Sequence, residues 1–200
     1  MILLEDTRNP VSKHRNIHEW AAREGVTIKR TKLMVGDYTL PTDQSVCIDT
    51  KAGLQEVYSN VVQQHARFRA ECELAKEAGI RLVVLVEEPG IYFLEDVAKW
   101  RNPRRERWFK VNAAHKAGKL TKLRIPPTPP QSSSGLMLSM GTMADRYGVE
   151  WRFCSPSETG AQIWRLLGGS KPHVLTVKTR LFSTEDKDAD IWMEKGSGEK

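Results

Sequence analysis

Apolar and polar residues recur with two different periods along the chain. Alternation, or a short apolar run, predicts strands over 2–6, 26–33, 34–40, 45–51, 81–87 and 149–154. Apolar residues spaced three and four apart predict helices over 13–24, 54–78, 94–100 and 136–147, and capping signals predict two more after Asn102 and Ser155. Strands that alternate with helices indicate an α/β or α+β fold around one mixed sheet.

The longest predicted helix follows a three-strand meander over 26–51, in which a turn at 41–44 joins the last two strands into a hairpin. One stripe of the 54–78 helix carries its apolar side chains and a histidine: Leu54, Val57, Val61, His65, Phe68, Cys72 and Ala75. On such a stripe, His65 is more simply a packed or cleft-edge residue than a ligand.

Length and composition describe one globular domain. The 200 residues are 40% hydrophobic and 28% charged, close to the average for folded proteins. We expect a single domain over 1–170 and a partly flexible tail over 171–200, where apolar periodicity fades. The longest apolar run, 82–86, is too short to span a membrane, and early acidic residues interrupt any secretory signal, so we expect a cytoplasmic protein. Three scattered cysteines predict free thiols.

Positive charge is concentrated in one segment. Residues 101–124 hold nine basic residues and one acid, whereas the rest of the chain is net negative. The nine are Arg101, Arg104, Arg105, Arg107, Lys110, Lys116, Lys119, Lys122 and Arg124. Trp100, Trp108 and Phe109 interleave with them, a combination that suits a phosphate backbone with unstacked bases. The alternative is a solvated helix whose aromatic residues pack into the core.

A segment rich in proline and serine, IPPTPPQSSSG over 125–135, follows the basic helix. Its four prolines exclude a helix or a central strand, so we expect a loop. Residues 101–135 then form a basic helical insertion within the domain.

Three side chains of the predicted hairpin are candidates for metal binding and catalysis. Asp49 and Lys51 are two residues apart on one strand, so their side chains leave the same face of the sheet. Asp37 lies on the preceding strand, and the hairpin can bring its carboxylate close to Asp49. Neighbouring carboxylates repel each other unless a cation lies between them, and oxygen ligands favour Mg²⁺ or Mn²⁺. Lys51 could then orient or help to deprotonate a water for phosphodiester hydrolysis.

Asp-x-Lys is also frequent on solvated strands, and the order of the elements is what favours the catalytic interpretation. Four segments resemble the XPF-family nuclease domain of the PD-(D/E)xK, restriction-endonuclease-like superfamily: LEDTR at 4–8, VGDYTL at 35–40, CIDTK at 47–51 and LVVLVE at 82–87. The resemblance extends over 1–90 by motif and over 136–168 by element order. It implies a restriction-endonuclease-like α/β fold, with a central mixed sheet flanked by helices.

The resemblance assigns catalytic roles residue by residue. The family's Asp-x-Arg motif falls on Asp6 and Arg8, its Gly-Asp motif on Gly36 and Asp37, and its Glu-Arg-Lys motif on Asp49, Thr50 and Lys51. The implied catalytic residues are Asp6, Asp37, Asp49 and Lys51, and the implied ligands of Mg²⁺ or Mn²⁺ are Asp37, Asp49 and the backbone carbonyl of Thr50.

DNA contacts follow from the resemblance and from the basic segment together. Arg67-Phe68 resembles the family's Gly-Arg-hydrophobic motif, although it falls several residues later than the family spacing. We expect contacts from Arg8, Arg67, Arg101, Arg104, Arg105, Arg107, Lys110, Lys116 and Lys119.

The sequence departs from the family pattern at three motif positions. Asp49 replaces a glutamate, which shortens the side chain by one methylene, and Thr50 replaces an arginine. Gln55 lies where the family has an acid, with Glu56 next to it. No helix-hairpin-helix module follows Gly169, so the chain resembles compact bacterial or phage members.

The function implied by the resemblance is metal-dependent cleavage of branched or partly single-stranded DNA, in recombination, replication or repair. DNA is the expected partner, at the nucleoid of a bacterial cell or of a phage-infected host, and a homodimer is compatible with the resemblance. Because this superfamily includes degenerate members, a catalytically inactive DNA-binding module is the alternative.

Overall fold

A six-stranded mixed sheet forms the centre of the computed structural model, which describes residues 1–119 and 124–169. In chain order the strands are β1 (Ile2–Asp6), β2 (Thr27–Thr31), β3 (Tyr38–Thr39), β4 (Val46–Lys51), β5 (Arg81–Glu87) and β6 (Glu150–Cys154). Their spatial order is β2-β1-β3-β4-β5-β6. β3 is antiparallel to both of its neighbours, and the other pairs are parallel. Lys122 and the tail over 171–200 lie outside the described residues.

The described α-helices are α1 (Arg15–Arg23), α2 (Leu54–Tyr58), α3 (His65–Glu77), α4 (Pro103–Lys116), α5 (Ser133–Tyr147) and α6 (Thr159–Leu166). Two 3-10 helices, Val11–His14 and Leu94–Lys99, and one π-helical turn, Ser59–Gln63, complete the helical structure of this part of the chain. The mixed sheet flanked by helices confirms the predicted α/β fold.

The central strands of the sheet are buried on both faces. Along β5, Leu82, Val84 and Val86 pack into one apolar layer, which α2, α3 and α5 complete. Val83 and Leu85 point into the opposite layer, which is formed with α1 and α6. This two-sided burial explains why β5 is a continuous apolar run. In the described residues, the three cysteines are buried free thiols, as predicted, and no helix is long and apolar enough to cross a membrane.

The predicted meander over 26–51 is wrong. β1 lies between β2 and β3, and β2 pairs with β1 in parallel. Helix α1 connects these two strands, and a helical crossover of this kind is what parallel neighbours require. The predicted 34–40 strand shortens to Tyr38–Thr39, whereas its hairpin with β4 is confirmed by the pairing of Tyr38 with Ile48.

The single helix predicted over 54–78 is also wrong, because it is interrupted. The Gln64 amide donates to the Ser59 carbonyl oxygen five residues earlier (2.8 Å), which inserts one residue into a helical turn. His65 directly follows this interruption and is exposed, whereas Phe68 and Cys72 of the predicted stripe are buried. The prediction of a packed His65 is therefore wrong, whereas a position at the edge of the cleft stays a prediction.

Smaller differences concern helix ends. Helix α5 begins at Ser133, because the Ser132 hydroxyl caps it by accepting from the Gly135 amide (3.1 Å), so the Pro-rich loop ends at residue 132. The Ser155 signal forms only a turn, and α6 begins at Thr159. The predicted start of α4 is confirmed: Asn102 is its N-cap and Pro103 its first residue.

Candidate active site

Asp37 enters the sheet through a tight turn just before β3. Gly36 in this turn has φ of +69°, and a Cβ added to it would lie 3.0 Å from the Ile48 carbonyl oxygen. A side chain at this position would therefore be strained. The Asp37 amide donates to Ile48 (2.7 Å), and the Asp37 carbonyl accepts from the Asp6 amide (2.9 Å). These bonds fix Asp37 between β1 and β4.

The buried Asp37 carboxylate accepts hydrogen bonds at both oxygens. Oδ2 accepts from the Thr50 amide (2.9 Å) and hydroxyl (2.5 Å), and Oδ1 accepts from Asn9 Nδ2 (2.5 Å). Burial opposes ionisation, but the Thr50 hydrogen bonds and the charges of Lys13 and Lys51 outweigh it and hold the pKa of Asp37 below its usual value. Asp37 is therefore ionised at neutral pH, and Oδ1 keeps a lone pair for a further ligand.

Asp49 and Lys51 form a buried ion pair on β4. Lys51 Nζ lies 2.8 Å from Asp49 Oδ1, 2.5 Å from Oδ2 and 5.6 Å from the centre of the Phe68 ring. Burial, together with repulsion from Asp37, raises the pKa of Asp49 to about 7, although the charge of Lys51 lowers it. Burial alone would lower the pKa of Lys51, but the Asp49 charge outweighs it and the pKa is raised. Lys51 remains an ammonium group, and Asp49 is the member of the pair that titrates near neutrality.

Asp6, a predicted catalytic residue, is engaged by Arg8. Its Oδ2 accepts from Arg8 Nε (2.5 Å) and its Oδ1 from the Arg8 amide (2.9 Å). The Arg8 guanidinium also donates to the Leu33 carbonyl oxygen (3.1 Å). Since Asp6 is buried and the Arg8 side chain is half exposed, Asp6 holds Arg8 at the surface of the site.

One open cleft of about 590 Å³ brings these groups together. Its lining includes Asp6, Arg8, Asp37, Asp49, Lys51 and Arg67 from the predicted site. A cleft of this volume is of the size that proteins use for ligands. The side chains that spacing and motif singled out in the first 90 residues therefore meet where solvent and a substrate have access.

The cleft also contains polar residues that the sequence did not assign: Asn9, Lys13, Glu56, Asn60, Gln64 and Glu71. Glu71 Oε1 accepts from the Gly36 amide (3.0 Å) and so ties α3 to the turn that carries Asp37. Its position four residues after Arg67 is a signal that could have found it, because the two share one face of a helix. Asn9 lies in a segment without periodicity, and Lys13 is the first residue of the predicted 13–24 helix, off its apolar side, so neither residue gives such a signal.

An acid reaches the cleft one residue later than the family motif places it. Gln55 is exposed and does not line the cleft, whereas Glu56 does. Glu56 Oε2 accepts from the Ala52 amide (2.8 Å), and Oε1 lies 3.5 Å from Lys13 Nζ. Replacement of the family's acid by Gln55 therefore does not deprive the cleft of this negative charge.

The donor set fits a hard divalent cation. Asp49 Oδ2 is buried and has no polar partner beyond its ion pair with Lys51 Nζ (2.5 Å), and Asp37 Oδ1 has a free lone pair. The carbonyl oxygen of Thr50 accepts a long contact from Lys13 Nζ (3.5 Å). Mg²⁺ commonly takes one or two protein carboxylates and keeps several waters. No group of three His, Cys, Asp or Glu side chains within 1–119 and 124–169 is arranged to hold an ion, so the candidate ligands are these few oxygens.

Helix α4 contributes no residue to the lining of the cleft, and none of its residues is buried. Three predicted DNA-binding arginines in or just before this helix contact the protein. Arg101 Nε pairs with Glu106 (2.6 Å), Arg104 donates to Gln63 Oε1 (2.6 Å), and Arg105 donates to the Pro130 carbonyl (2.5 Å). The other predicted cations, Arg107, Lys110, Lys116 and Lys119, are exposed.

The aromatic residues of α4 remain at the surface. Trp108 Nε1 donates to the Pro126 carbonyl (3.0 Å), and Phe109 is 49% exposed, with the Arg105 guanidinium 5.1 Å from its ring centre. The alternative in which these aromatics pack into the core is therefore wrong for Trp108 and Phe109. Only Trp100, which precedes the helix, packs against the core.

The mixed sheet, its helical layers and the acidic cleft define an α/β nuclease fold. No family model and no curated protein matches the chain. Among solved structures it is similar to XPF from Aeropyrum pernix in complex with DNA, at 15% identity, TM-score 0.52 and 84% coverage of this chain. A second structure of XPF from Aeropyrum pernix matches 83% of the chain at 16% identity and TM-score 0.51. The chain spans 63% and 64% of the lengths of these two, and it has an XPF-like nuclease fold.

Proposed function

We propose that the chain is a Mg²⁺- or Mn²⁺-dependent endonuclease that hydrolyses phosphodiester bonds of DNA. One observation carries the proposal: the Asp37 and Asp49 carboxylates and the Lys51 ammonium group meet in one open cleft of a nuclease fold. The similar structure of XPF from Aeropyrum pernix contains DNA, which supports DNA as the substrate.

Each group of the cleft has a role in this proposal. Asp37, Asp49 and the Thr50 carbonyl would hold the ion, which when bound lowers the pKa of a water ligand and offsets phosphoryl charge. Lys51, held by Asp49, would supply an ammonium group beside the attacking water and the phosphoryl oxygens. In the hydrolysis the water oxygen forms one bond to phosphorus and one P–O bond breaks, which leaves a phosphate end and a hydroxyl end.

The exposed face of α4 is proposed to grip the same DNA. Arg104 donates to Gln63, and the next residue, Gln64, lines the cleft, so α4 and the cleft are neighbours on the surface. A strand that leaves the cleft past Gln63 would reach the cations of α4 and the exposed Phe109 ring. An exposed aromatic ring stacks on unpaired bases. This arrangement supports branched or partly single-stranded DNA as the substrate, in recombination, replication or repair.

A cleavage panel tests the activity. Labelled duplex, single-strand, flap, fork and four-way junction DNAs are incubated with the wild type, Asp37→Asn, Lys51→Met and the control Asp43→Asn, in Mg²⁺, Mn²⁺ or EDTA. Asp43 is an exposed aspartate in the β3–β4 turn, outside the cleft. We expect both site variants to lose more than about 100-fold in rate, because even residues that only support metal ligands contribute roughly 10- to 100-fold.

DNA affinity, measured by fluorescence anisotropy, is the matching readout. It should stay within about threefold of wild type in both site variants, because the exposed cations are unchanged. Wild-type cleavage rates in either variant, or cleavage in EDTA, would contradict the proposal.

The second candidate is a catalytically inactive DNA-binding module. The observation in its favour is the exposed Gln55 at the position of the family's acid. Specific DNA binding by a wild-type chain that neither binds Mn²⁺ nor cleaves any member of the panel would select this candidate.

A further inference from the structure

Lys13 is a cleft residue that the proposed mechanism does not use. It lies in the 3-10 helix Val11–His14 that follows β1, with its side chain 30% exposed. Its Nζ lies 3.5 Å from the Thr50 carbonyl oxygen and 3.5 Å from Glu56 Oε1. Both distances are at the long end for such contacts, so the ammonium group is held loosely and can move.

The ammonium group of Lys13 occupies the neighbourhood that the proposed ion would use. One of its two contacts is the Thr50 carbonyl, which is a candidate metal ligand. Among the charged groups that lower the pKa of Asp37, the second candidate ligand, Lys13 has the largest effect and exceeds Lys51. The ammonium group therefore contacts one candidate ligand and stabilises the charge of another.

Several carboxylates of the cleft depend on a small number of cations. Asp37, Asp49, Glu56 and Glu71 line the cleft, and repulsion among neighbouring carboxylates is costly without a counter-charge. Of the cations that line the cleft with Lys13 and Arg67, Arg8 is bound to Asp6. Lys51 is already bound to Asp49 at 2.8 Å. An ammonium group and a divalent ion repel each other at contact distance, so an ion bound to the Thr50 carbonyl would weaken the already long contact of Lys13 with that oxygen.

We propose that Lys13 is the resident counter-cation of the metal site, which the divalent ion displaces on binding and which then contacts the DNA phosphate. This inference rests on the proposed function, since it assumes a metal that binds between Asp37 and Asp49. The flexible four-carbon stem of lysine and the exposed part of the side chain allow the movement from carboxylate to phosphate. Lys13 is thus a positioning residue for substrate and a competitor for metal.

Mn²⁺ binding without DNA gives a readout that is independent of activity. Isothermal titration with MnCl₂ compares the wild type with Lys13→Met, Lys13→Gln, Lys13→Arg and the control Lys99→Met. Removal of the competing charge should lower the Kd for Mn²⁺ about 3- to 10-fold in Lys13→Met and Lys13→Gln. Lys13→Arg keeps the charge and should stay near wild type. Lys99 pairs with Asp96 on the surface, and its loss should change the Kd less than about twofold.

Cleavage at saturating Mn²⁺ tests the second half of the proposal. Lys13→Met should raise KM for DNA several-fold and leave kcat nearly unchanged, because a phosphate contact is lost while the metal ligands remain. The uncharged variants are compared with the wild type at a temperature at which circular dichroism shows them folded, and Lys13→Gln replaces Lys13→Met if the latter does not fold.

The outcomes separate the two proposals. If the wild type binds Mn²⁺ and cleaves DNA but the uncharged Lys13 variants bind Mn²⁺ no more tightly, the inference on Lys13 is overturned and the proposed function stands. If the wild type neither binds Mn²⁺ nor cleaves DNA, the proposed function fails and the inference fails with it. Tighter Mn²⁺ binding together with a raised KM supports both.

Discussion

The Asp49 carboxyl group lies where the sheet interior meets the cleft. Lys51 pairs with it, but beyond this ion pair the buried Oδ2 has no polar partner. Burial of a charge without full compensation is unfavourable, and this is why the pKa of Asp49 is raised to about 7. A proton and a divalent ion therefore compete for the same carboxyl group.

We expect the affinity of the wild type for Mn²⁺ to rise between about pH 6 and pH 8. With a pKa of about 7, Asp49 is mainly protonated at the lower end, where Mn²⁺ must displace the proton, and mainly ionised at the upper end. The apparent affinity should fall by up to tenfold per pH unit below pH 7 and level off above about pH 8. Isothermal titration with MnCl₂ across this range measures the effect.

Asp49→Asn is the control for this pH dependence. The amide does not titrate, so the variant should bind Mn²⁺ more weakly and with a flat profile through the neutral range. Equal Mn²⁺ affinity of the wild type at pH 6 and pH 8 would contradict the assignment of the titration to Asp49.

Sequence spacing could predict one part of the site and not the other. Asp37, Asp49 and Lys51 follow from the period of two along a strand and from a short hairpin, both of which are local. Lys13 and Glu56 approach the cleft only because a 3-10 helix and the start of α2 pack beside it. Packing of that kind connects distant segments, and no local pattern encodes it.

At the scale of the element, helix α4 is stabilised without a buried face. None of its residues is buried, and its N-cap Asn102 accepts from the amides of Arg104 (3.0 Å) and Arg105 (3.4 Å). Arg105 and Trp108 attach it to the Pro-rich loop. The exposed cations are therefore not required for the packing of the helix and remain available to an anionic partner.

The triple variant Arg107→Ala, Lys110→Ala, Lys116→Ala tests this surface. If each cation neutralises one phosphate, the log-log salt slope of DNA binding should decrease by roughly 2 to 3, because each contact adds about 0.9. Fluorescence anisotropy over a range of salt concentrations gives the slope.

The matched control removes three exposed cations that are scattered over the surface: Arg23, Lys29 and Lys99. Both triple variants lower the net charge by the same amount, so a decrease that is equal in the two would assign the effect to net charge and not to α4.

Local pattern also limits what could be predicted of the elements. The cap and the first residue of α4, and the apolar run of β5, are local features and were predicted. The interruption between α2 and α3 was not predicted. It is accompanied by polar side chains that face the cleft, and one of them, Asn60, donates from Nδ2 to the Glu56 carbonyl (2.7 Å). The position of β2 beside β1 depends on the crossover through α1, which strand periodicity does not reveal.

At the scale of the whole molecule, the sheet separates the cleft from the layer formed by α1 and α6. Asp49 points to the same face as Cys47, whose neighbours include Phe68 of α3. Trp20, Ile163 and Trp164 pack on the opposite face. Stability that comes from the α1–α6 layer should therefore be separable from the chemistry of the cleft.

Two glycine substitutions in helices test this separation. A Cβ on Gly160 of α6 would lie 2.5 Å from the Trp20 ring, so Gly160→Ala should lower the free energy of unfolding by about 1–3 kcal/mol through overpacking. Gly141 of α5 has open space around it, and Gly141→Ala should be neutral or stabilising by about 0.5–1 kcal/mol. Urea unfolding measures both. Cleavage per folded molecule should be unchanged in each, and a loss of cleavage by folded Gly160→Ala would show that the α1–α6 layer and the cleft are coupled through the sheet.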